Sequence, residues 1–377
     1  MLVLPNMPVV IVPYTREHVE AVREFNGRLR VAGITMRFPE SEIPAWLPKC
    51  DNRSIYQEHF LALDGQTVRG GYILKHQIFT VSGQTVSVGN YQLPISEGVI
   101  DKHYGLVGLI LLNDALKRNP LLYSLGIGGH QESLARLLKG MGWKLFTVPF
   151  FFRICHPVTF LRNIRHLRNS WWRRLAFDLL AFTGAGWITL SAWRLLTMKR
   201  TVRAVQCRVT RIERFDEWAD TLWQRPVGDF KFAAVRGSEV LNTLYPAADV
   251  RFVKLKVTVA EAEVGWAVVL VTRMADNKFF GSMIVATVVD NAASAGYENE
   301  VMLAAADIAV DQRADLIVTN QSHENWGRAC DSAGFLRGPS NFIFAASPQL
   351  AAKLAPPEGM LNGVHLTRGD GDGPIHL

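Results

Sequence analysis

One order of elements occurs twice along this chain, and that repetition constrains the fold more than any other feature. The first copy opens with an alternating β-branched strand from Val9 to Tyr14 and a helix from about Thr15, whose Val19, Val22 and Phe25 follow the helical period. Three strand-like runs come next, HFLALDG, RGGYILKHQIFTVSG and QTVSVGNYQLPISEGVI, with Gly65 and Gly83 at the turns between them. A helix over Gly105 to Arg118, a strand LLYSLGIG, a helix ESLARLLKGMGW and a strand KLFTVPFFFRI complete it. The second copy has a strand at Gln206 to Glu213, the helical stretches FDEWADTLW and SEVLNTLY, and the strands RFVKLKVT, GWAVVLVT and GSMIVATVVD. It closes with a helix ENEVMLAAADIAVDQR, a strand DLIVTN, a helix NWGRACDSAG and a strand NFIFAAS. The predicted class is α/β with mixed sheets, each copy forming its own layer and core rather than part of one large sheet.

The stretch between the copies differs from both. The chain of 377 residues carries a formal charge of +7. From His156 to Val205 the bases Arg162, Arg165, Arg168, Arg173, Arg174, Arg194, Lys199, Arg200 and Arg203 face a single acid, Asp178, so this connector carries +8 and the remainder −1. It also holds the most apolar long run, Leu175 to Trp193, with tryptophans at 171, 172, 187 and 193. A spanning helix needs about 20 predominantly apolar residues, and Asp178, Gly184 and Gly186 weaken that reading. A helical hairpin lying in the membrane interface, with arginines toward anionic lipid, suits the composition better; a buried interdomain helix pair is the alternative. The expected organisation is a first domain at 1–155, a basic and apolar helical connector at 156–203, a second domain at 204–350 and a tail at 351–377.

Cys50, Cys155, Cys207 and Cys330 lie far apart with no Cys/His cluster, so neither a disulfide framework nor a metal site is expected, and a reducing, cytoplasmic setting fits. The start MLVLPNMPVVIVPY has Pro5, Pro8 and Pro13 and no basic lead, and reads as a strand rather than a signal peptide. Nucleic-acid binding alone is the least expected function, because the basic residues are interleaved with apolar ones.

The residues that bear chemistry lie mainly where strands run into helices. After the fourth strand the chain reads Val99-Ile100-Asp101-Lys102-His103-Tyr104-Gly105-Leu106-Val107-Gly108. After the fifth it reads Gly126-Ile127-Gly128-Gly129-His130, which begins like a dinucleotide fingerprint but has Gln131 at the third glycine position. A Gly-aromatic pair ends the last helix of each copy, Gly142-Trp143 and Gly334-Phe335. This order and these signals resemble the acyl-CoA-dependent N-acyltransferases of the Gcn5-related superfamily, over residues 8 to 155 and 204 to 347, so the chain resembles a tandem pair of such domains. The peptidoglycan-bridge aminoacyltransferases also pair two such domains.

The resemblance implies an acyl-CoA cosubstrate and no metal. In the superfamily an Arg/Gln-x-x-Gly-x-Gly/Ala loop binds the coenzyme pyrophosphate through first-turn N–H groups, which lack intrahelical partners and sit at the positive end of the helix dipole. Here Lys102-x-x-Gly105 keeps the first spacing, Val107 stands where Gly or Ala is usual, and Gly108 follows. Residues 99, 100 and 102–108 are therefore the candidate coenzyme site; a plain turn with one packing glycine is the alternative. Glu97 is the candidate base by its place on the fourth strand, and a salt-bridged glutamate is the competing reading. His130 is the second candidate base, against a plain turn residue. The family's proton-donating tyrosine falls at Leu138 and Cys330, so neither copy has it.

In the second copy NAASAGYEN lacks the basic first position and the glycine spacing, which makes a coenzyme site there doubtful. Asn320, Ser322, His323 and Asn325, after its fifth strand, are acceptor-site candidates, or else a capped helix start. Asp370 and Asp372 form part of a calcium-loop pattern without its remaining ligands, and a flexible or turn-forming tail is expected, with a short hairpin as the alternative. The expected function is transfer of an acyl group from acyl-CoA to an amine, either a small molecule or a membrane-linked sugar or amino acid precursor, at the inner face of a membrane. The alternatives are aminoacyl transfer from tRNA and non-catalytic binding.

Overall fold

The computed structural model describes residues 9–40, 46–51, 53–164, 206–224, 230–277, 279–354 and 363–371. Most of the connector, including Leu175 to Trp193, lies outside these residues. Its first part forms a short helix. Two compact units result, Met1–Phe146 with Ile343–Glu358 and Thr147–Phe342 with Gly359–Leu377.

In chain order the first copy gives β1 (Val10–Pro13), α1 (Val19–Val31), β2 (Tyr56–Asp64), β3 (Thr67–Val81), β4 (Gln84–Ser96), α2 (Val107–Arg118), β5 (Leu122–Leu125), α3 (Ser133–Gly140), β6 (Lys144–Thr147), β7 (Phe150–Ile154) and α4 (Pro157–Asn163). The second gives β8 (Arg208–Ile212), α5 (Glu217–Gln224), β9 (Phe232–Ala234), α6 (Ser238–Leu244), β10 (Phe252–Val259), β11 (Ala262–Arg273) and β12 (Ile284–Ala293). It continues with α7 (Glu298–Asp311), β13 (Leu316–Asn320), α8 (Glu324–Ser332), β14 (Leu336–Gly338), β15 (Ile343–Ala346), α9 (Pro348–Leu354) and β16 (Val364–His365).

The first sheet runs β1-β2-β3-β4-β5-β15-β6 and the second β14-β7-β13-β12-β11-β10-β8. The sequence expects one strand over KLFTVPFFFRI. It is two strands, one in each sheet. Pro149, which has no N–H to give a ladder, stands at the break, and Val148 N–H donates to Phe342 O at 2.8 Å. Residues 147–155 therefore belong to the second unit and 343–350 to the first, which differs from the expected boundaries at 155 and 350.

Alternation along the strands explains how both faces of the first sheet are covered. Tyr72, Leu74 and Tyr91 pack with Leu111, Leu112, Ala115 and Leu138 of α2 and α3. Ile73, Leu61 and Ile95 point the other way, against Val22, Phe25 and Leu29 of α1. In the second unit Val257, Val269, Val288 and Ile317 pack against Val301, Ala305 and Ala309 of α7 and Trp326 and Cys330 of α8.

One feature recurs at equivalent places in the two units. β4 and β5 are parallel and pair over Gly89↔Leu122 and Asn90↔Tyr123. Ser124 Oγ then donates to Tyr91 O at 2.9 Å, while β4 continues to Ser96 past a register shift. Leu93, in that irregular stretch, has a φ of 45°, unusual for a leucine. In the second unit β12 and β13 pair as far as Thr287↔Val318, Thr319 Oγ1 donates to Val288 O at 2.8 Å, and β12 continues to Ala293. Each parallel ladder thus ends at a side-chain hydroxyl bonded to a backbone carbonyl, and the longer strand runs on without its parallel neighbour, a parting here called a wedge. Thr319→Val keeps the shape and leaves the buried Val288 carbonyl unpaired; equilibrium denaturation of the variant is expected to show a loss of about 1–3 kcal/mol in unfolding free energy.

Candidate functional site

The turn after β4 is built from local hydrogen bonds. Ser96 Oγ accepts from Gly98 N–H at 3.1 Å, and a 3-10 turn spans Glu97–Val99. Asp101 Oδ1 accepts from His103 N–H at 2.9 Å, a second 3-10 turn spans Lys102–Tyr104, and α2 begins at Val107. Gly98 is needed for this path, because a Cβ there would lie 2.7 Å from Tyr104 O and 2.9 Å from Gly105 Cα. A Cβ at Gly105 would lie 3.1 Å from Lys102 O, a close contact that asks for a small shift of the turn.

The N-terminus of α2 has no side-chain cap and no acid in its first turn. The first N–H groups of any helix have no intrahelical acceptor and sit at the positive end of the dipole. Lys102, His103, Gly105 and Leu106 are exposed around that end, Val99 is also exposed, Ile100, Tyr104 and Gly108 are half-buried, and Val107 is buried in the core. The arrangement suits a phosphate-bearing ligand.

Glu97 is buried and has both oxygens engaged. Arg28 Nε donates to Oε1 at 2.7 Å, and Arg69 Nη1 donates to Oε2 at 3.0 Å. Arg28 also donates to Val68 O at 2.6 Å, and the Arg69 guanidinium lies 4.2 Å from the centroid of the Tyr104 ring. Glu97 thereby ties α1, β3 and the turn together, which is the salt-bridged reading of this residue. His130 is exposed in the turn between β5 and α3, after Gly128 and Gly129 at positive φ. Glu97 thus follows β4 directly, while His130 lies beyond β5 after the glycine-rich stretch Gly126–Gly129. Leu138 and Cys330 are buried in the two cores, and burial holds the Cys330 thiol well above its ordinary range.

The equivalent region of the second unit is organised differently. Glu298 lies in the first turn of α7; its Oε2 accepts from Gly296 N–H at 2.9 Å and its Oε1 from Asn325 Nδ2 at 3.1 Å. Ser322 Oγ donates to Val364 O at 2.6 Å and accepts from Leu366 N–H at 2.7 Å. Asn320 Oδ1 accepts from Arg368 Nε at 2.9 Å, and His323 Nδ1 caps α8 by accepting from Asn325 N–H at 3.3 Å. All four acceptor-site candidates are thus brought into one region, where they bond to the chain itself.

The sequence places Val364 to Asp370 in a flexible or turn-forming tail, and the structure shows a turn that is buried. These residues form β16 and a 3-10 turn over Arg368–Asp370, and His365, Thr367 and Asp370 are buried. Sequence reading missed their partners. Arg236, 1% exposed, donates to Asp290 Oδ2 at 2.7 Å and to Asp370 Oδ1 at 2.6 Å, and Tyr245 Oη donates to Asp290 Oδ2 at 2.9 Å. Burial raises the Asp290 carboxyl, and the nearby Arg236 charge opposes that rise. These partners lie 54 and 134 residues from Arg236, so no local pattern marks them. Among the described residues no group of three His, Cys, Asp or Glu could hold a metal ion, and no helix is long and apolar enough to cross a membrane.

His365 is stacked on Phe230, with ring centroids 5.0 Å apart, and its Nε2 donates to Asn291 O at 3.2 Å. Burial pushes it down from 6.5 to about 3. Between those values the unfolded chain holds a proton at this site that the folded chain does not, so stability falls as pH falls. Denaturant titrations of the wild-type chain and His365→Gln from pH 7 to pH 4 are expected to differ in slope by up to about 1.4 kcal/mol per pH unit, with the variant flatter.

No protein-family model and no curated protein matches the chain. Among solved structures it is similar to Saccharomyces cerevisiae N-myristoyltransferase with bound myristoyl-CoA and inhibitors, at 9% identity and TM-score 0.51 over 92% of this chain and 80% of that one. A second structure of that enzyme with bound myristoyl-CoA aligns at 10% identity and TM-score 0.50, over 92% and 79%. A tandem GNAT protein from the clavulanic acid biosynthesis pathway aligns over 90% of this chain and 98% of its own, at 12% identity and TM-score 0.48. At such identities the likeness is one of fold, and the fold is the mixed α/β acyl-CoA N-acyltransferase fold that the repeated element order leads one to expect.

Proposed function

We propose that this chain is an acyl-CoA-dependent N-acyltransferase in which the first unit holds the donor and passes its acyl group to an amine. The observation that carries the reading is the α2 N-terminus, uncapped, free of first-turn acids and bordered by Lys102 and His103, placed after a strand that parts from its parallel neighbour. The α2 first-turn N–H groups hold the pyrophosphate, with Lys102 and His103 adding positive charge. The myristoyl-CoA bound in the compared yeast enzyme supports an acyl-CoA donor. No observation supports the aminoacyl-tRNA alternative.

Transfer forms a C–N bond to the amine, breaks the C–S bond of the thioester and leaves a thiolate that takes up a proton. His130, exposed in the turn between β5 and α3, accepts the amine proton. Glu97 acts as a positioning residue, since its oxygens already accept from two guanidinium groups. Leu138 cannot donate a proton, so water protonates the thiolate. The connector's +8 charge and flanking tryptophans bring the enzyme to anionic lipid, and the acceptor is a membrane-linked amine precursor.

Calorimetry with acetyl-CoA, myristoyl-CoA and intermediate chain lengths is expected to show binding to the wild-type chain. Gly105→Glu places a negative side chain at the helix N-terminus and abolishes it; full retention in that variant, or no binding of any acyl-CoA to wild type, refutes the donor site. His130→Ala is expected to lower acyl transfer by about a hundredfold while leaving acyl-CoA affinity unchanged. Sedimentation with phosphatidylserine-containing vesicles tests the connector: a chain with Arg173 and Arg174 both replaced by Glu loses binding, and undiminished binding would count against electrostatic docking.

A further inference from the structure

We infer that the wedge of the second unit is closed from within, its anion position taken by Glu298 and the gap between its strands filled by residues 364–370, so that the chain holds one acyl-CoA rather than two. The part concerning the first unit rests on the donor site proposed above; the closure of the second wedge stands on its own geometry.

Two independent features support closure. The first is at the helix N-terminus. Where α2 has no acid in its first turn, α7 has Glu298 and Glu300, and the Glu298 carboxylate already accepts the Gly296 N–H of the preceding turn. An incoming pyrophosphate would compete with that carboxylate for the amide and be repelled by its charge.

The second lies where β12 and β13 part. Residues 364–370 bond to both sides of the opening. On the β12 side, Thr367 Oγ1 donates to Asp290 Oδ1 at 3.3 Å and His365 Nε2 donates to Asn291 O at 3.2 Å. On the β13 side, Arg368 Nε donates to Asn320 Oδ1 at 2.9 Å, and Ser322 N–H donates to Leu366 O at 3.2 Å. The segment therefore takes hydrogen-bonding positions on both sides of the gap that a pantetheine arm would enter.

A buried charge cluster fastens the segment. Asp370 Oδ2 accepts from Thr367 N–H at 2.8 Å, which shapes the 3-10 turn, and its Oδ1 accepts from Arg236. Arg236 joins Asp370 to Asp290, two fully buried carboxylates that would repel each other without it. Gly369 is required where the turn meets this cluster, because a Cβ there would collide with the Tyr245 hydroxyl. Displacing the segment would leave Arg236 and Asp290 buried with fewer partners, which opposes its exchange for a ligand.

The test combines ligand stoichiometry with hydrogen exchange on the full chain. Native mass spectrometry with the acyl-CoA that binds best is expected to show one equivalent on wild type and none on Gly105→Glu. Two equivalents on wild type overturn the inference; one equivalent on wild type that persists on Gly105→Glu refutes the donor site of the first unit, and the exchange arm then decides closure. In exchange experiments the Leu366, Thr367 and Asp370 amides are expected to be protected, with no loss of protection when acyl-CoA is added. Asp370→Asn should speed their exchange at least tenfold while β11 and β12 amides stay protected. Fast exchange over 364–370 in wild type, or exchange accelerated by acyl-CoA, overturns closure. If no acyl-CoA binds at all, the proposed function fails, and the wild-type exchange arm alone decides whether the second wedge is closed. The same arm decides if Asp370→Asn does not fold.

Discussion

The parting of two parallel strands organises both units. Where β4 leaves β5, and where β12 leaves β13, the longer strand keeps its antiparallel neighbour on one edge, as at Ile73↔Gln92 and Gly71↔Ile95, and opens the other. An open edge presents backbone groups that need partners. Ser124 and Thr319 each satisfy the carbonyl nearest the parting, Tyr91 O and Val288 O. The groups beyond must find water, ligand or another part of the chain. That requirement holds before any catalytic residue is considered.

The two copies meet the requirement in opposite ways, and charge at a helix N-terminus separates them. α2 begins without an acid, beside Lys102 and His103, so its positive end is available to an external anion. α7 begins with Glu298 and Glu300, and Glu298 binds the turn amide itself. The same division appears at the strand ends, where Arg236, Asp290 and Asp370 hold chain residues at the second opening. On the proposed reading the two partings serve different ends, the first left to an external ligand and the second packed by the chain itself.

Much of this fold was legible in the sequence because it rests on local periodicity. The alternation in RGGYILKHQIFTVSG and the 3.6-residue spacing in GLVGLILLNDALKR are properties of short windows, and β3 and α2 lie where those patterns place them. The turn before α2 was legible only in part: the sequence runs the fourth strand on to Ile100 with Glu97 on it, whereas β4 ends at Ser96 and Glu97 opens a 3-10 turn whose hydrogen bonds no periodicity marks. Arg28 and Arg69 were not legible, because their bond to Glu97 spans 69 and 28 residues and nothing near either arginine marks it. Residues 363–371 misled the reading in the other direction. Gly and Asp are turn formers wherever they occur, and composition cannot tell a solvated turn from one whose Asp370 is buried against Arg236.

The position of Pro149 carries a consequence for what counts as a domain. A proline in KLFTVPFFFRI interrupts the ladder, and the two strands on either side of it go to different sheets. β7 then lies between β13 and β14 in the second sheet, and β15, from the other end of the chain, lies between β5 and β6 in the first. Each sheet thus has an interior strand supplied by the opposite half of the sequence. Cutting the chain in the connector would remove that strand from each and expose the unpaired edges of its neighbours, β13 and β14 in one case and β5 and β6 in the other. The repeat visible in the sequence is therefore a repeat of elements, while the folding units are made from parts of both copies.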